Sequence, residues 1–545
     1  MKIKKKIENI SCFNFIEQYL SSCGIEDVDR YLNPDRECFD NPLDYLNMKD
    51  AVELFDKHVK AKSKVGIVVD SDMDGACSSA IIYMFCKEHS LNPKVYFHSG
   101  KQHGIHDKVD ELINDNLQLI IVPDAGTNDD EDCQKIKDFN PECDILILDH
   151  HDILNRNVYA TIVNNQCGNV NKKLSGTGVT YKFIQAYCIL NNLPIPNYED
   201  IVAVSIISDV CDLTSLENRA FVHYGLNNPQ NPFLIEIFNT VCKYRGVCPE
   251  SIGWDVSPLA NSLARVDDLE YKSFFFRCLT GEQSDYEEAI KEMKKIKRKQ
   301  DTIVKEITKE IEENLDLNHK TIIAFTAPEN KEILGLIANK FTGKYRKPTI
   351  LLRELNSTTW TGSLRSPFDL LTIINKSNIA QCMGHGCACG VIVKKSNVNK
   401  LIKFLDTLDV DVDPEFEVVD ELSIDDITLD LAQDISDYKI LWGKNVEKPR
   451  FYIHLENPSV DIFRKSMTTI KLTENGISFI KFFCSDEMVK EFENLNNKAV
   501  NIIFEIEVNE YNDIKSPQCN IIEYEIEENP IFKNEEEFDW DKIFV

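Results

Sequence analysis

Short apolar runs alternate with helical patterns between residues 51 and 215, and this alternation constrains the fold more than any other feature. Helix-like segments such as residues 78–89 separate the runs. Because parallel strands need a long crossover connection, which is usually a helix, the alternation predicts a parallel β-sheet flanked by helices. The predicted strands are residues 65–69, 94–97, 119–122, 145–148 and 160–163.

Acidic and histidine residues stand at or just beyond the ends of these and similar runs. In an open α/β sheet, the carboxyl ends of the strands form the crevice where ligands bind. Six carboxylates and two imidazoles gathered there would repel one another unless cations lay between them. The set comprises Asp70, Asp72, Asp74, Asp124, Asp149, His150, His151 and Asp209.

This set predicts a site for two metal ions, because carboxylate oxygens with one or two imidazoles suit Mn²⁺ or Mg²⁺. Two such ions about 3.5–4 Å apart activate water and stabilise the leaving oxygen of a phosphoryl displacement. Asp124 follows a strand of its own and is the expected bridging ligand. For any single Asp, capping of the next helix is the simpler explanation, but capping does not explain the whole set with its His-His pair.

The net charge and the cysteine content constrain the function less than the acidic motifs do. The net charge of −29 predicts weak non-specific DNA binding, although thirteen acids fall within residues 405–438 and leave room for a basic groove elsewhere. The cluster Cys382, His385, Cys387 and Cys389 is an alternative zinc site, but its spacing is tighter than usual and favours packing. The sequence has no apolar run long enough to span a membrane, and its first residues lack the apolar core of a signal peptide. We therefore expect a cytoplasmic protein without membrane contact.

The chain is expected to contain three folded domains. A charged stretch without Gly or Pro, residues 286–315, predicts a connecting helix, and alternating residues near the C-terminal end predict a β-barrel. The predicted segments are a helical lead-in at 1–50, a catalytic α/β domain at 51–285, the helix at 286–315, a smaller α/β domain at 316–404, an acidic linker at 405–437, the barrel at 438–530 and an acidic tail at 531–545.

The acidic motifs, in their order along the chain, resemble those of the DHH phosphoesterase superfamily. They are Asp-x-Asp-x-Asp-Gly at 70–75, Asp-Ala-Gly at 124–126, Asp-His-His at 149–151 and Ser-Asp-Val at 208–210. Further segments are similar to the RecJ-type single-strand-specific exonucleases, with a DHH-associated second domain and an oligonucleotide-binding barrel. These segments are residues 174–183, 201–225, 257–265, 335–338, 362–366, 384–386 and 442–451.

The resemblance implies a role for each matching residue. Asp70, Asp72 and Asp124 would hold one metal ion, while Asp74, Asp124, His150 and Asp209 would hold the other. His151 would act beside them, and Arg265 would touch substrate phosphate, unless it forms a surface ion pair with Asp267 or Asp268. The remaining expected substrate contacts are Asn261, Ser363, Arg365, Gly384 and His385, with Lys101, His103 and His106 in place of a family arginine.

The implied activity is 5′→3′ hydrolysis of single-stranded DNA to mononucleotides in repair, recombination or replication. The candidate protein partners are a single-strand-binding protein and other replication or repair proteins, and a monomer is the default state. Aromatic residues of the barrel (Phe451, Tyr452 and Phe482) are candidates for base stacking, although a core role is more common at strand spacing.

Two alternatives stay open. One is a DHH phosphodiesterase acting on short oligonucleotides or cyclic dinucleotides, which would have no need of a barrel. The other is a non-catalytic DHH scaffold that binds replication partners. Such scaffolds lose metal ligands, whereas this chain keeps all eight groups.

Overall fold

A five-stranded, fully parallel sheet forms the centre of the first α/β domain, as the sequence predicts. The computed structural model describes residues 1–7, 14–98, 100, 102–266, 268–408, 415–464, 467–495 and 498–528. A short strand, β1 (Lys2–Lys5), precedes this sheet in the chain. The sheet has the order β3-β2-β4-β5-β6. Its strands are β2 (Val65–Val69), β3 (Lys94–Phe97), β4 (Leu119–Pro123), β5 (Asp144–Asp149) and β6 (Thr161–Asn164).

Helices pack on the sheet, and helices also form most of the region that follows it in the chain. A π-helical segment (Ile252–Val256) joins two of the helices into one continuous rod. The helices are α1 (Phe15–Ser22), α2 (Val28–Leu32), α3 (Met48–Ala61), α4 (Met73–Glu88), α5 (Val109–Asn114), α6 (Asp130–Phe139), α7 (Gly176–Leu190), α8 (Glu199–Ser208), α9 (Leu216–Asn227), α10 (Pro232–Val241), α11 (Pro249–Ser251), α12 (Ser257–Ala264), α13 (Leu269–Leu279) and the connecting helix α14 (Tyr286–Glu312).

The second α/β domain contains a mixed sheet of order β10-β11-β9-β8-β7, in which only β7 and β8 pair in parallel. Two of its strands, β9 and β10, were not predicted. Cys382 and Cys389 pack in its apolar core, which agrees with the packing interpretation, but Cys387 is exposed and the interpretation is wrong for it. Its elements are β7 (Ile322–Thr326), α15 (Leu334–Tyr345), β8 (Thr349–Asn356), β9 (Thr359–Arg365), α16 (Leu371–Ser377), β10 (Ala380–His385), β11 (Ala388–Lys394) and α17 (Val398–Asp406).

Two expectations about segments outside these domains are wrong. The N-terminal lead-in is not wholly helical, because β1 pairs in parallel with β12 (Glu415–Val418), a partner that local periodicity cannot reveal. The acidic segment at 405–437 is not a solvated linker, since it contains β12 and helix α18 (Leu429–Asp437). Helix α18 buries Leu431 and Ile435, while its acids occupy the outer face.

The C-terminal domain contains a six-stranded sheet of order β13-β17-β18-β16-β15-β14. The alternating pattern predicts five strands here, at residues 451–455, 468–472, 478–483, 500–508 and 519–526, and β14 is additional to them. Phe451 is fully buried between Phe15 and Phe504, so it belongs to the core that this domain shares with the first. The elements are β13 (Arg450–Leu455), β14 (Ser459–Arg464), β15 (Thr468–Glu474), β16 (Ile477–Lys481), α19 (Asp486–Glu493), β17 (Lys498–Tyr511) and β18 (Ile514–Glu528).

The predicted acidic tail at 531–545 lies outside the described residues. No helix in the described part of the chain is long and apolar enough to span a bilayer.

Candidate metal centre

The strand ends bring the acidic residues to one edge of the parallel sheet. Asp70 follows β2, Asp124 follows β4, and Asp149 is the last residue of β5. Helix α7 begins beside them at Gly176, where a Cβ atom would lie 2.1 Å from Asp124 Oδ1. A residue without a side chain is therefore needed for α7 to start this close to the carboxylates.

The candidate ligands form three groups, and within each group one ligand atom per residue lies within 4.8 Å of the others. The groups are Asp70, Asp72 and His103; Asp74, His150 and Asp209; and Asp124, His150 and His151. Because His150 belongs to two groups, the second and third are contiguous. All six predicted metal ligands are thus brought together, and their division between two ions stays a prediction.

His103 is a candidate ligand that the sequence analysis assigned to the substrate instead. Its Nδ1 lies 2.7 Å from Asp70 Oδ2, although half of the side chain remains exposed. It follows no strand end and belongs to no acidic motif, so no local signal could place it beside Asp70. The neighbouring candidate His106 lies elsewhere, with its Nδ1 2.9 Å from Asp132.

Burial and mutual repulsion make this cluster costly to charge. Burial, followed by the charges of Asp74, Asp72 and the other acids, raises the pKa of Asp124 well above its ordinary value. The same two causes, led by burial and then Asp74, raise the pKa of Asp209 to about 7. The pKa of Asp72 is also raised, by burial and then by the charge of Asp70. Cations bound among these groups would remove the repulsion.

Unpaired oxygen atoms in the cluster fit divalent cations. Among the described residues, none donates a hydrogen bond to the buried Asp70 Oδ1 or Asp124 Oδ1. Asp124 Oδ1 lies 3.2 Å from His150 Nε2, and this nitrogen is 3.9 Å from both Asp74 Oδ2 and Asp209 Oδ2. A donor set of carboxylate oxygens and imidazole nitrogens suits Mn²⁺ or Mg²⁺.

Asp74 is anchored by the start of α7. Its Oδ2 accepts a hydrogen bond of 2.9 Å from the Gly176 amide, and its Oδ1 accepts bonds from the Thr177 amide (2.9 Å) and hydroxyl (2.5 Å). The Ser205 hydroxyl also donates to Oδ1. These donors and the dipole of α7 stabilise a carboxylate at the helix N-terminus and hold the buried Asp74 side chain in place.

The Asp149-His150-His151 motif holds a positive charge beside the cluster. Buried Asp149 accepts hydrogen bonds from the amides of both histidines, at 2.7 and 3.2 Å, and from His151 Nδ1, at 2.9 Å. Burial opposes protonation of His151, but the hydrogen bond and charge of Asp149 prevail and raise the pKa of His151 to about 9. Asp149 therefore orients the His151 imidazole, fixes the backbone of both histidines and favours the protonated form of His151.

A cavity opens beside the carboxylates and is lined on its far wall by Asn261 and Arg265. Arg265 Nη1 donates to the Asn261 carbonyl at 3.2 Å. The alternative ion pair with Asp268 is not formed, because Asp268 instead caps α13. Asp267 lies outside the described residues. The other lining residues are Ser71, Asp72, Met73, Asp74, Ser208 and Asp209.

Arg365, in the second α/β domain, lies near enough to Arg265 for their charges to interact. Arg365 Nη1 donates to Ser363 Oγ at 2.9 Å and to the Leu364 carbonyl at 2.7 Å. Burial and then the charge of Arg365 lower the pKa of Arg265, which indicates that the two guanidinium groups are close to each other. The charges of two arginines from different domains therefore interact, and Arg265 is the one of the pair that lines the cavity beside the carboxylates.

Three predicted contacts are less completely described. Gly384 lies in β10 with a φ of 124°, a conformation that favours glycine. His385 is the last residue of β10, but its side chain lies outside the described structure, as does the whole of Lys101. The roles of these residues stay predictions.

The chain resembles known proteins along most of its length. Residues 64–206 match the DHH family N-terminal domain, and residues 420–523 match the RecJ OB domain. The SPbeta prophage protein YorK of Bacillus subtilis strain 168, whose name proposes a single-strand DNA-specific exonuclease, is 29% identical over 94% of this chain and 96% of its own.

More distant relatives share the same fold. The single-stranded-DNA-specific exonuclease RecJ of Bacillus subtilis strain 168 is 22% identical over 97% of this chain and 70% of its own. The crystal structure of RecJ with Mn²⁺ from Thermus thermophilus superposes with a TM-score of 0.73 at 17% identity, over 88% of this chain and 72% of that one. The structural likeness supports the domain order described above.

Proposed function

We propose that this chain, a RecJ-like member of the DHH family with a RecJ OB domain, is a metal-dependent exonuclease that removes nucleotides from the 5′ end of single-stranded DNA. The observation that carries the proposal is the carboxylate and imidazole cluster at the strand ends, which opens onto a cavity lined by Arg265, whose charge interacts with that of Arg365. Anionic ligands would hold cations, and cationic side chains would hold the phosphates of the strand.

The cluster would hold two Mn²⁺ or Mg²⁺ ions. Asp70, Asp72 and Asp124 would hold one ion, while Asp74, Asp124, His150 and Asp209 would hold the other. When bound, the ions would supply an activated water and stabilise the charge that develops on the leaving oxygen. His103 is well placed to complete the first set, since its Nδ1 is 2.7 Å from Asp70 Oδ2.

The protein groups around the ions would bind and orient the scissile phosphate. Arg265 offers a planar fork of donors for phosphate oxygens, and Asn261 holds that fork through its carbonyl. His151 would add a positive charge on the other side, kept protonated by Asp149. These groups act by position and charge, so none needs to form a covalent bond to the substrate.

The polarity of the reaction rests on the second domain. Ser363 orients Arg365, whose charge interacts with that of Arg265, and Gly384 and His385 lie on the neighbouring hairpin. We propose that these groups bind the 5′ end, so that the remaining strand leaves toward the OB domain. A strand gripped in this way would be shortened to mononucleotides during repair, recombination or replication.

The test is digestion of 5′- and 3′-labelled single-stranded and duplex DNA and RNA, with Mn²⁺ or Mg²⁺. Release of mononucleotides from the 5′ end of single-stranded DNA is the expected result. Activity confined to dinucleotides would favour the short-oligonucleotide alternative, and no cleavage under any condition would refute both. As a control, Asp124→Ala should abolish hydrolysis yet remain folded, because it removes an acid from a repulsive cluster.

A further inference from the structure

A strongly exposed tryptophan stands on the helix that leads into the candidate active site. Trp254 is 72% exposed and lies in the π-helical segment between α11 and α12. Exposed tryptophans are uncommon because a large apolar surface stays in water, and π-helical turns occur frequently at functional sites. The position of this side chain therefore calls for an explanation beyond packing.

Trp254 shares a helix face with the residues that line the cavity. Trp254, Pro258, Asn261 and Arg265 are spaced by four, three and four residues, and all four side chains are at least partly exposed. Spacings of three and four residues place side chains on one face of a helix. Asn261 and Arg265 line the cavity beside the carboxylates, so Trp254 continues the same surface away from it.

The other end of this helical rod meets the OB domain. Gly443 approaches Pro249, the first residue of α11, and Lys439 donates a hydrogen bond of 3.1 Å to the Arg245 carbonyl. The rod thus runs from the OB domain to Arg265, with Trp254 between them. Asn261 lies seven positions after Trp254, a distance of roughly 10 Å at the helical rise of about 1.5 Å per residue.

Two acids lie beside Trp254 in the helical rod, Glu250 and Asp255, and both pair with Arg245. The adjacent acid, Asp255, is neutralised by Arg245, whose Nη1 lies 2.9 Å from both carboxylate oxygens. Both carboxylates beside the ring are therefore held in ion pairs, with Arg245 closer to Asp255 than to Glu250. A tryptophan face in this setting can stack with any base, since every base offers a π-face.

We propose that Trp254 is a stacking platform for a base of single-stranded DNA on the path between the OB domain and the metal centre. The proposal rests on the proposed function. A stacked strand rises about 3.4 Å per nucleotide, so the base concerned lies about three nucleotides from the one beside Asn261. Trp254 would therefore hold long strands in register and make no contact with a dinucleotide.

The test is equilibrium binding of fluorescein-labelled oligo(dT) of 20 and of 2 nucleotides, measured by anisotropy in EDTA so that no hydrolysis occurs. Trp254→Ala should weaken binding of the 20-mer about 10-fold, as expected for loss of one stacked base, and leave dinucleotide binding unchanged. Trp254→Phe should retain most of the affinity, because it keeps an aromatic face.

The matched control is Phe139→Ala, which removes another exposed aromatic side chain, 64% exposed, at the end of α6. Helix α6 returns the chain to the start of β5, so Phe139 lies at the sheet edge opposite the metal centre. This variant should bind both oligonucleotides like the wild type. Circular dichroism and Tm establish that each variant is folded.

The outcomes separate the two proposals. If Trp254→Ala binds the 20-mer like the wild type, if it weakens both lengths equally, or if the wild type binds no 20-mer, the stacking role is refuted. If binding of the 20-mer depends on Trp254 but the protein cleaves no DNA with either metal, the stacking role stands and the exonuclease proposal fails.

Discussion

Replacing Asp209 with Asn should stabilise the metal-free protein, and the gain should depend on pH. The pKa of Asp209 is about 7 in the folded protein, raised by burial and then by Asp74, against about 3.9 in an unfolded chain. The folded state therefore binds this proton more tightly than the unfolded state. Its contribution to stability is fully present below pH about 4 and is lost as pH rises through about 7.

The magnitude follows from the separation of the charges. Ligand oxygens of Asp209 and Asp74 lie within 4.8 Å of each other. Two charges at that separation repel by about 3.5 kcal/mol at an effective dielectric constant of about 20. The Asp209 side chain is 32% exposed, and His150 offsets part of the repulsion, so we expect about 2 kcal/mol after screening. Asp209→Asn removes this cost because an amide carries no charge.

The assay is thermal unfolding of the wild type and Asp209→Asn in EDTA between pH 4.5 and 8.5. The difference in Tm should be small at pH 4.5 and reach about 4–8 °C at pH 8 in favour of the variant, for a domain of this size. Saturating Mn²⁺ should stabilise the wild type more than the variant, which lacks one ligand. Equal Tm values at pH 8, a less stable variant, or a difference independent of pH would contradict the reasoning.

Asp212→Asn is the matched control, three residues away. Burial opposes ionisation of Asp212, but hydrogen bonds from Lys173 and Thr214 prevail and lower its pKa. The Lys173 ammonium is 2.6 Å from the carboxylate. Loss of this partly exposed pair should destabilise the metal-free protein by up to about 1 kcal/mol at pH 8, the opposite sign to Asp209→Asn.

Two further variants, each with a control, test the anchoring of Asp74 and the core of the C-terminal domain. Thr177→Val removes a hydroxyl that donates to Asp74 and should weaken Mn²⁺ binding about 10-fold by calorimetry. The control Thr180→Val, on the same helix, removes a buried hydroxyl with no hydrogen-bond partner among the described residues and should leave Mn²⁺ binding unchanged. If both variants weaken Mn²⁺ binding equally, the anchoring role of Thr177 is refuted. Phe451→Ala should cost about 3–5 kcal/mol in urea unfolding because the ring is fully buried. Phe482→Ala, at 41% exposure, should cost less than about 0.5 kcal/mol; weaker DNA binding without lost stability in Phe451→Ala would favour stacking instead.

The parallel sheet and its acidic edge could be predicted because both depend on local patterns. Apolar runs such as 119–122 are buried in any parallel sheet, and the residue after such a run must lie at the edge where the strands end. Asp70, Asp124 and the Asp149 motif are therefore assigned to one edge by their place in the sequence alone. The resemblance to the DHH family then added the roles of individual residues.

Long-range pairing limited the rest of the prediction. Strand β1 has no pattern of its own and forms because β12 lies beside it, more than 400 residues later. The acids of the 405–437 segment suggested a solvated linker, but its last part forms α18, where Asp430, Asp434 and Asp437 are exposed while Leu431 and Ile435 are buried. The number of charged residues in a segment does not show whether they lie on one face of a helix, so it could not predict α18.

The sequence by itself determined which chemical groups this protein can bring to a site: strand-end carboxylates, a His-His pair and the arginines of two α/β domains. The tertiary structure decided which of their atoms meet. It placed His103 against Asp70, placed the start of α7 beside Asp74, and brought Arg365 near enough to Arg265 for their charges to interact. Carboxylate chemistry is local to a residue, whereas the distances that make a metal centre depend on the packing of elements far apart in the chain.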